Sequence, residues 1–312
     1  MFIIAQSIQY IWPLIFLFFV AAIAAKLNYF RSNGSYVVQD FLHHYSVPCM
    51  AFLILSKLSL VGLMAHADLL WMYLMLTLFM LLMMRLAFGG LGYSAVNSKV
   101  LAEMSTIPDA TVVAVLIVMS LPNSDTLMPL VGVALIAQVL IHIMVLLPVA
   151  VLTNKNMQRS NKSVSVMSPF VVAVLLGFVF SATALPLPEP AHKVLHAISL
   201  TLPAFGIFSY GLLIDFKHVY KMRYVEWFVV AVKTILMPLL AYLFSIVQGL
   251  DATSQLVLVI LAHCPASRYL IRTAHQNDNS LELQVETVYS VSFLLSMVGL
   301  CCSIYIIGVP NL

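Results

Sequence analysis

Of 312 residues, 62% are apolar and 9% are charged, and the formal net charge is only +3. A soluble domain carries about a quarter charged residues, so this chain has too little polar surface to cover itself in water. No basic tail, Gly-rich phosphate loop or aromatic-basic stripe is present to hold nucleic acid.

Apolar runs separated by polar breaks predict ten transmembrane helices, near residues 8–26, 36–57, 67–88, 96–121, 127–152, 164–184, 192–215, 223–247, 254–276 and 283–308. Most are close to the ~20 residues that cross a ~30 Å hydrocarbon core. The first begins like a secretory signal, with Ala22-Ile23-Ala24 behind an apolar stretch. No Lys or Arg precedes it, however, and Lys26 and Arg31 follow, so it reads as a retained helix with an outside N-terminus. The cytoplasmic turns then hold Lys26, Arg31, Arg85, Lys99, Lys155, Arg159, Lys162, Lys217, Lys221 and Arg223, and the outside turns only Lys57 and Lys193. Arg272 lies near an inner helix end, with Lys233 and Arg268 inside the membrane. This asymmetry follows the positive-inside rule, and an even number of spans returns the C-terminus to the outside. The expectation is a multi-pass protein of the cell (inner) membrane with both termini outside the cytoplasm.

The longest polar stretch, residues 153–165, divides the chain into a first five-helix block, 1–152, and a second, 166–312. Prolines recur in matching spans: Pro48 in the second and Pro203 in the seventh, 155 residues apart, then Pro108 in the fourth and Pro265 in the ninth, 157 apart. Five is odd, so two such blocks enter the bilayer from opposite sides. The predicted fold class is therefore an all-α membrane protein, a five-plus-five inverted repeat of the kind many secondary transporters use.

A mid-helix proline removes a backbone donor and clashes with the preceding turn, which in lipid is tolerated only against protein or a wet cavity. The fourth span reads Glu103-Met104-Ser105-Thr106-Ile107-Pro108-Asp109, and the ninth His263-Cys264-Pro265-Ala266-Ser267-Arg268, with Arg272 and His275 further on. Half-helices restarting after Pro108 and Pro265 would aim N–H groups into the membrane centre, where anions are stabilised. A charge there costs at least ~2.5–3.5 kcal/mol on insertion scales, so Asp109, Arg268 and Lys233 should face protein. Two readings stay open at this point. In one, Arg268 and Lys233 meet a substrate anion beside Ser105, Thr106, Pro108, His263, Pro265 and Ser267, while Asp109 or Glu103 binds a coupling proton or sodium ion. In the other, Asp109 and Arg268, or Asp109 and Lys233, only neutralise each other across packed helices.

His43, His44, His142 and Glu286 read as packing residues, and the Met-rich stretch Met72 to Met84 as lipid-facing or core filler. Cys49, Cys264, Cys301 and Cys302 form no CxxC pair and give no zinc site. Neither GxSxG nor HExxH occurs, so no hydrolase is expected, and no Walker motif is present to bind ATP. No metal or cofactor is called for beyond a coupling proton or sodium ion.

Several segments resemble the auxin efflux carrier family, which includes plant PIN-type carriers and bacterial malonate-permease-like members. They are Ala24-Ala25-Lys26-Leu27-Asn28, Leu42 to Pro48 with Cys49-Met50-Ala51-Phe52, Pro169-Phe170-Val171-Val172 with Leu176-Gly177, Leu202-Pro203-Ala204 with Tyr210-Gly211-Leu212-Leu213, Lys233 to Pro238, and Cys264-Pro265-Ala266. The resemblance implies fourth and ninth helices broken and crossing at their prolines, substrate binding beside the crossing, elevator-like alternation and a homodimer. It departs where family members have an Asn and two Gly before the fourth-helix proline, since this chain has Leu101, Glu103 and Thr106 there. Arg268 likewise sits where the family often has a neutral polar residue. The class carries over; auxin and malonate do not. The sequence thus leads to the expectation of a secondary active or facilitative transporter of a small organic anion, a carboxylate, working by alternating access. The rivals are a sodium-coupled carrier of the bile-acid-symporter type and a membrane sensor that binds a solute without moving it.

Overall fold

The computed structural model describes residues 2–27, 29, 34–121, 124–152, 168–183, 185–214, 219–266 and 279–307. Among them the chain is all-helical, and the only extended pairing is an isolated antiparallel bridge between Pro108 and Ala266. The linker at 153–165, together with Ser267, Arg268, Arg272 and His275, lies outside the described residues.

Among the described residues, five helices are long and apolar enough to cross a membrane: Ala67–Gly90, Ser124–Met144, Glu189–Leu212, Tyr224–Val247 and Gln284–Ile307. The surface agrees with that reading. Trp12, Phe16, Trp71, Phe79 and Val298 point outward, whereas Glu103, Ser105, Thr106, Lys233 and Ser290 are buried. In water this distribution would be costly on both counts, but in lipid it is what a multi-pass helical protein requires.

In chain order, α1 is Phe2–Lys26, α2 Gly34–Phe41, α3 Val47–Ser56, α4 Leu60–Ala65, α5 Ala67–Gly90, α6 Ala95–Thr106, α7 Val115–Ser120 and α8 Ser124–Leu152. Then come α9 Pro169–Thr183, α10 Glu189–Ser199, α11 Thr201–Leu212, α12 Tyr224–Ala231, α13 Met237–Val247, α14 Ala252–His263 and α15 Asn279–Ile307. A wide helical turn, Ala110–Ala114, leads into α7, and two more join helices without a loop. Leu42–Ser46 joins α2 to α3 with the Val47 N–H reaching back to Leu42 O, and Val232–Leu236 joins α12 to α13 with the Met237 N–H reaching Val232 O. In each case a proline follows directly, Pro48 or Pro238. Its ring would strike the carbonyl four residues back, and a turn with one extra residue relieves that clash without ending the helix.

Side-chain caps set other boundaries. Ser94 Oγ accepts from the Asn97 N–H at 3.3 Å to start α6, and the Asp251 carboxylate accepts from Thr253 and Ser254 at 3.1 and 3.0 Å to start α14. The helix expected from residue 192 begins three residues earlier, because Glu189 and Pro190 suit a first turn that lacks N–H acceptors. Gly249, at φ +67, lets the chain leave α13 in the left-handed region.

The most extensive helix contacts are α3 with α9 and α1 with α11. Both are close approaches at glycine. A Cβ at Gly177 would lie 2.9 Å from Leu55 Cβ and 3.0 Å from Phe52 O, and one at Gly211 would collide with Phe18 O and Ala21 Cβ. Ser46 Oγ and Thr201 Oγ1 share a 2.7 Å hydrogen bond between the two proline-bearing helices. On the other side of the molecule α5 packs against α6 and α8, and α13 against α14. Between these groups lie the breaks that end α6 and α14.

Candidate functional site

The α6 break begins where Thr106 gives way to Ile107, whose ψ of 116° is extended, and Asp109 follows at φ −84°, ψ 62°. After a wide turn at Ala110–Ala114 the chain resumes as α7. The α14 break is the same device: His263 is the last helical residue, and Cys264 turns to φ −59°, ψ 135° ahead of Pro265. The two breaks touch. The Asp109 N–H donates to Pro265 O at 2.7 Å, and Pro108 pairs with Ala266 in the antiparallel bridge. Residues preceding proline are driven out of the helical region, which explains why both chains are extended at this point. Their freed backbone groups then satisfy each other instead of lipid.

A third helix supports the crossing: Gln138 of α8 donates its Nε2 to Pro108 O at 2.9 Å. Asp109 accepts from the Tyr210 hydroxyl at 2.8 Å through Oδ2. Tyr210 is held by stacking on Tyr289 at 4.0 Å and Phe293 at 4.6 Å between centroids, and its carbonyl accepts from Ser290 Oγ at 3.0 Å. An aromatic stack of this kind fixes the ring, so the phenol is presented to the carboxylate at little entropic cost.

Lys233 projects from the wide turn between α12 and α13, fully buried, and donates from Nζ to Thr106 O at 3.2 Å. It enters no ion pair among the described residues, where the recorded pairs are Lys99–Glu103, Lys193–Glu189 and Arg223–Glu226. Glu103 is 1% exposed and sits 3.8 Å from Lys99 Nζ, one turn back on α6. Ser105 Oγ donates to Leu101 and Ala102 carbonyls at 3.0 and 2.9 Å, and Thr106 Oγ1 to Ala102 O at 2.8 Å. Both hydroxyl protons are thus committed to α6 itself, leaving only their lone pairs facing the site. His263 has Nδ1 2.9 Å from Val259 O and Nε2 3.3 Å from Ser303 Oγ, and packs where Gly299 has no side chain.

Two further hydroxyls stand out. Tyr73 and Thr77 lie one turn apart on α5, buried, and neither hydroxyl has a hydrogen-bond partner among the described residues. Tyr73 lies within electrostatic range of Cys264 at the second break. Leaving such a group unsatisfied costs about 1–3 kcal/mol.

Of the residues singled out from sequence, Thr106, Pro108, Asp109, Lys233, His263 and Pro265 come together at the crossing. Ser105 and Glu103 are one turn below it on α6, and Ser267 and Arg268 fall outside the described residues. Tyr210 and Gln138 were missed. Gln138 carried a readable signal, being a lone amide in an otherwise apolar run, whereas nothing in the chain links Tyr210 to Asp109 before α11 is packed. Compared with known proteins, the chain matches no family model and no curated protein.

Proposed function

We propose that this chain is a secondary transporter that carries a small organic anion, a carboxylate, across the bilayer by alternating access. In this reading the ten predicted helices form two inverted five-helix halves that meet at the proline breaks. The carrying observation is the direct contact between the two breaks, Asp109 N–H to Pro265 O, deep in an apolar molecule. Backbone without helical hydrogen bonding is expensive at membrane depth and is kept only where it is buried in protein or lines a cavity, as at the solute sites of secondary transporters.

The pattern of contacts also supports the inverted halves. Under the repeat, α1 corresponds to α9 and α3 to α11, so α3 on α9 and α1 on α11 are one contact made twice; these are the two largest helix pairs. Ser46 and Thr201, which bond each other, are 155 residues apart, the offset between Pro48 and Pro203. In such a repeat, residues that touch their own counterparts lie on the two-fold axis, where the meeting of the breaks would also fall. The buried hydroxyls of Tyr73 and Thr77 suit a carboxylate, which accepts hydrogen bonds only.

Reconstitution into proteoliposomes tests the proposal. Purified protein should accelerate uptake of at least one mono- or dicarboxylate along its gradient, saturably and without ATP. Binding of a carboxylate with no net flux would instead establish a sensor, and conductance far above carrier turnover a channel.

A further inference from the structure

Lys233 is held at the crossing by the backbone of a broken helix. Its Nζ is fully buried and points at Thr106 O, the last carbonyl of α6, at 3.2 Å. The final carbonyls of a helix have no intrahelical partner and carry its negative dipole end. The break at Ile107–Asp109 leaves that end in the middle of the molecule instead of at a water interface. The negative end of α14 arrives at the same point, since His263 is its last helical residue and Pro265 touches Asp109. The carbonyl ends of α6 and α14 are therefore brought together inside the molecule, beside the N–H end of the turn that restarts at Ala110. The carbonyl side of such a break stabilises a cation as its N–H side stabilises an anion, and oxygen ligands on broken helices are how membrane carriers hold a sodium ion.

We propose that the Lys233 ammonium is the resident monovalent cation of the crossing, tethered where a sodium ion would otherwise sit, so that this chain needs no sodium. An ammonium on a flexible stem is a compact point charge with three donors, and here it reaches the carbonyl from a wide turn that the following Pro238 stabilises. The inference deepens the transport reading and rests on it for its functional meaning, but cation binding is measured separately from flux.

The test compares wild type, Lys233→Ser and Lys233→Arg, purified in detergent, by thermal unfolding in sodium chloride and in N-methylglucamine chloride at equal ionic strength. Lys233→Ser removes the tethered charge, opens room and adds an oxygen, so it should be recoverable in sodium and should gain Tm with sodium alone, by roughly 2–4 °C at saturation. Wild type and Lys233→Arg, which keep a positive charge in place, should show equal Tm in the two salts. A sodium-specific gain in wild type would overturn the inference. So would a Lys233→Ser protein that responds equally to both salts, or one that cannot be recovered even in sodium. Carboxylate flux is measured on the wild type in parallel. Its absence would sink the transport reading while leaving the sodium comparison interpretable.

Discussion

At the scale of single residues, Asp109 is held through both its backbone and its side chain. It lies 5% exposed at the join of the two breaks, with its backbone committed to Pro265 and its carboxylate to the Tyr210 hydroxyl. Removing the phenol oxygen in Tyr210→Phe takes away a charge-assisted bond while keeping the stacked ring. The expected cost is about 1–3 kcal/mol, read as a lower unfolding midpoint in detergent. Stability equal to wild type would mean that another donor can replace Tyr210. The role of Arg268, proposed from sequence, separates from simple charge neutralisation by a double-mutant cycle. If Arg268 meets the substrate carboxylate, Arg268→Gln should lose carboxylate affinity, and adding Asp109→Asn should restore stability without restoring binding. Recovery of stability, affinity and flux together in the double variant would assign the pair a structural role only.

Helices add a second level, where the proposed transport depends on the backbone. Pro108→Ala and Pro265→Ala each return a donor and remove a steric block, so each favours a straight helix through the crossing. Flux should fall more steeply than folded yield, and undiminished flux with both prolines replaced would remove the crossing from the mechanism. The close helix pairs give the converse expectation. Gly211→Val drives a side chain into Phe18 O and should reduce the yield of folded protein, because backbone atoms cannot move aside as a side-chain tip can. Caps obey ordinary pH linkage. For Asp251, partial burial raises the carboxyl pKa, but the Ser254 and Thr253 hydrogen bonds, aided by His66, outweigh it and hold the group below its usual range. Its contribution is therefore complete above the unfolded-chain value of about 3.9 and is lost as pH falls through the lower folded value. Asp251→Ala should cost about 0.5–2 kcal/mol at neutral pH and remove that acid-limb dependence, whereas Asp251→Asn should keep most of the cap.

For the whole molecule, orientation in the membrane is a question of where the basic turns lie, and it can be checked without any solute. In a background lacking the four native cysteines, a cysteine at Gln158 should be shielded from an impermeant thiol reagent in intact cells and one at Pro190 should be labelled. The opposite pattern would reverse every loop. At this scale aromatic and aliphatic side chains face outward around a largely apolar core, in which hydroxyls, Glu103 and Lys233 are also buried. The two glycine-mediated pairs, α3 on α9 and α1 on α11, supply tight backbone approach, which is how helices associate where no hydrophobic effect separates them from lipid.

The sequence alone settled the all-helical, membrane-suited class and the position of both helix breaks. Apolar runs of spanning length, together with prolines that cannot donate or pack in mid-helix, act locally and need no knowledge of neighbours. It also marked Asp109 and Lys233 as groups that must face protein, since charge burial is costly wherever it occurs. Only the tertiary structure decided what each of them faces. Lys233 meets the Thr106 carbonyl 127 residues away, and Asp109 meets Tyr210 across 101 residues. Ser105 and Thr106 turn their hydroxyl protons back to α6, although the sequence offered them to a solute. Hydrogen bonds between distant segments depend on which helices come to lie side by side, and that choice is made by glycine approaches and ring stacks that no local pattern encodes.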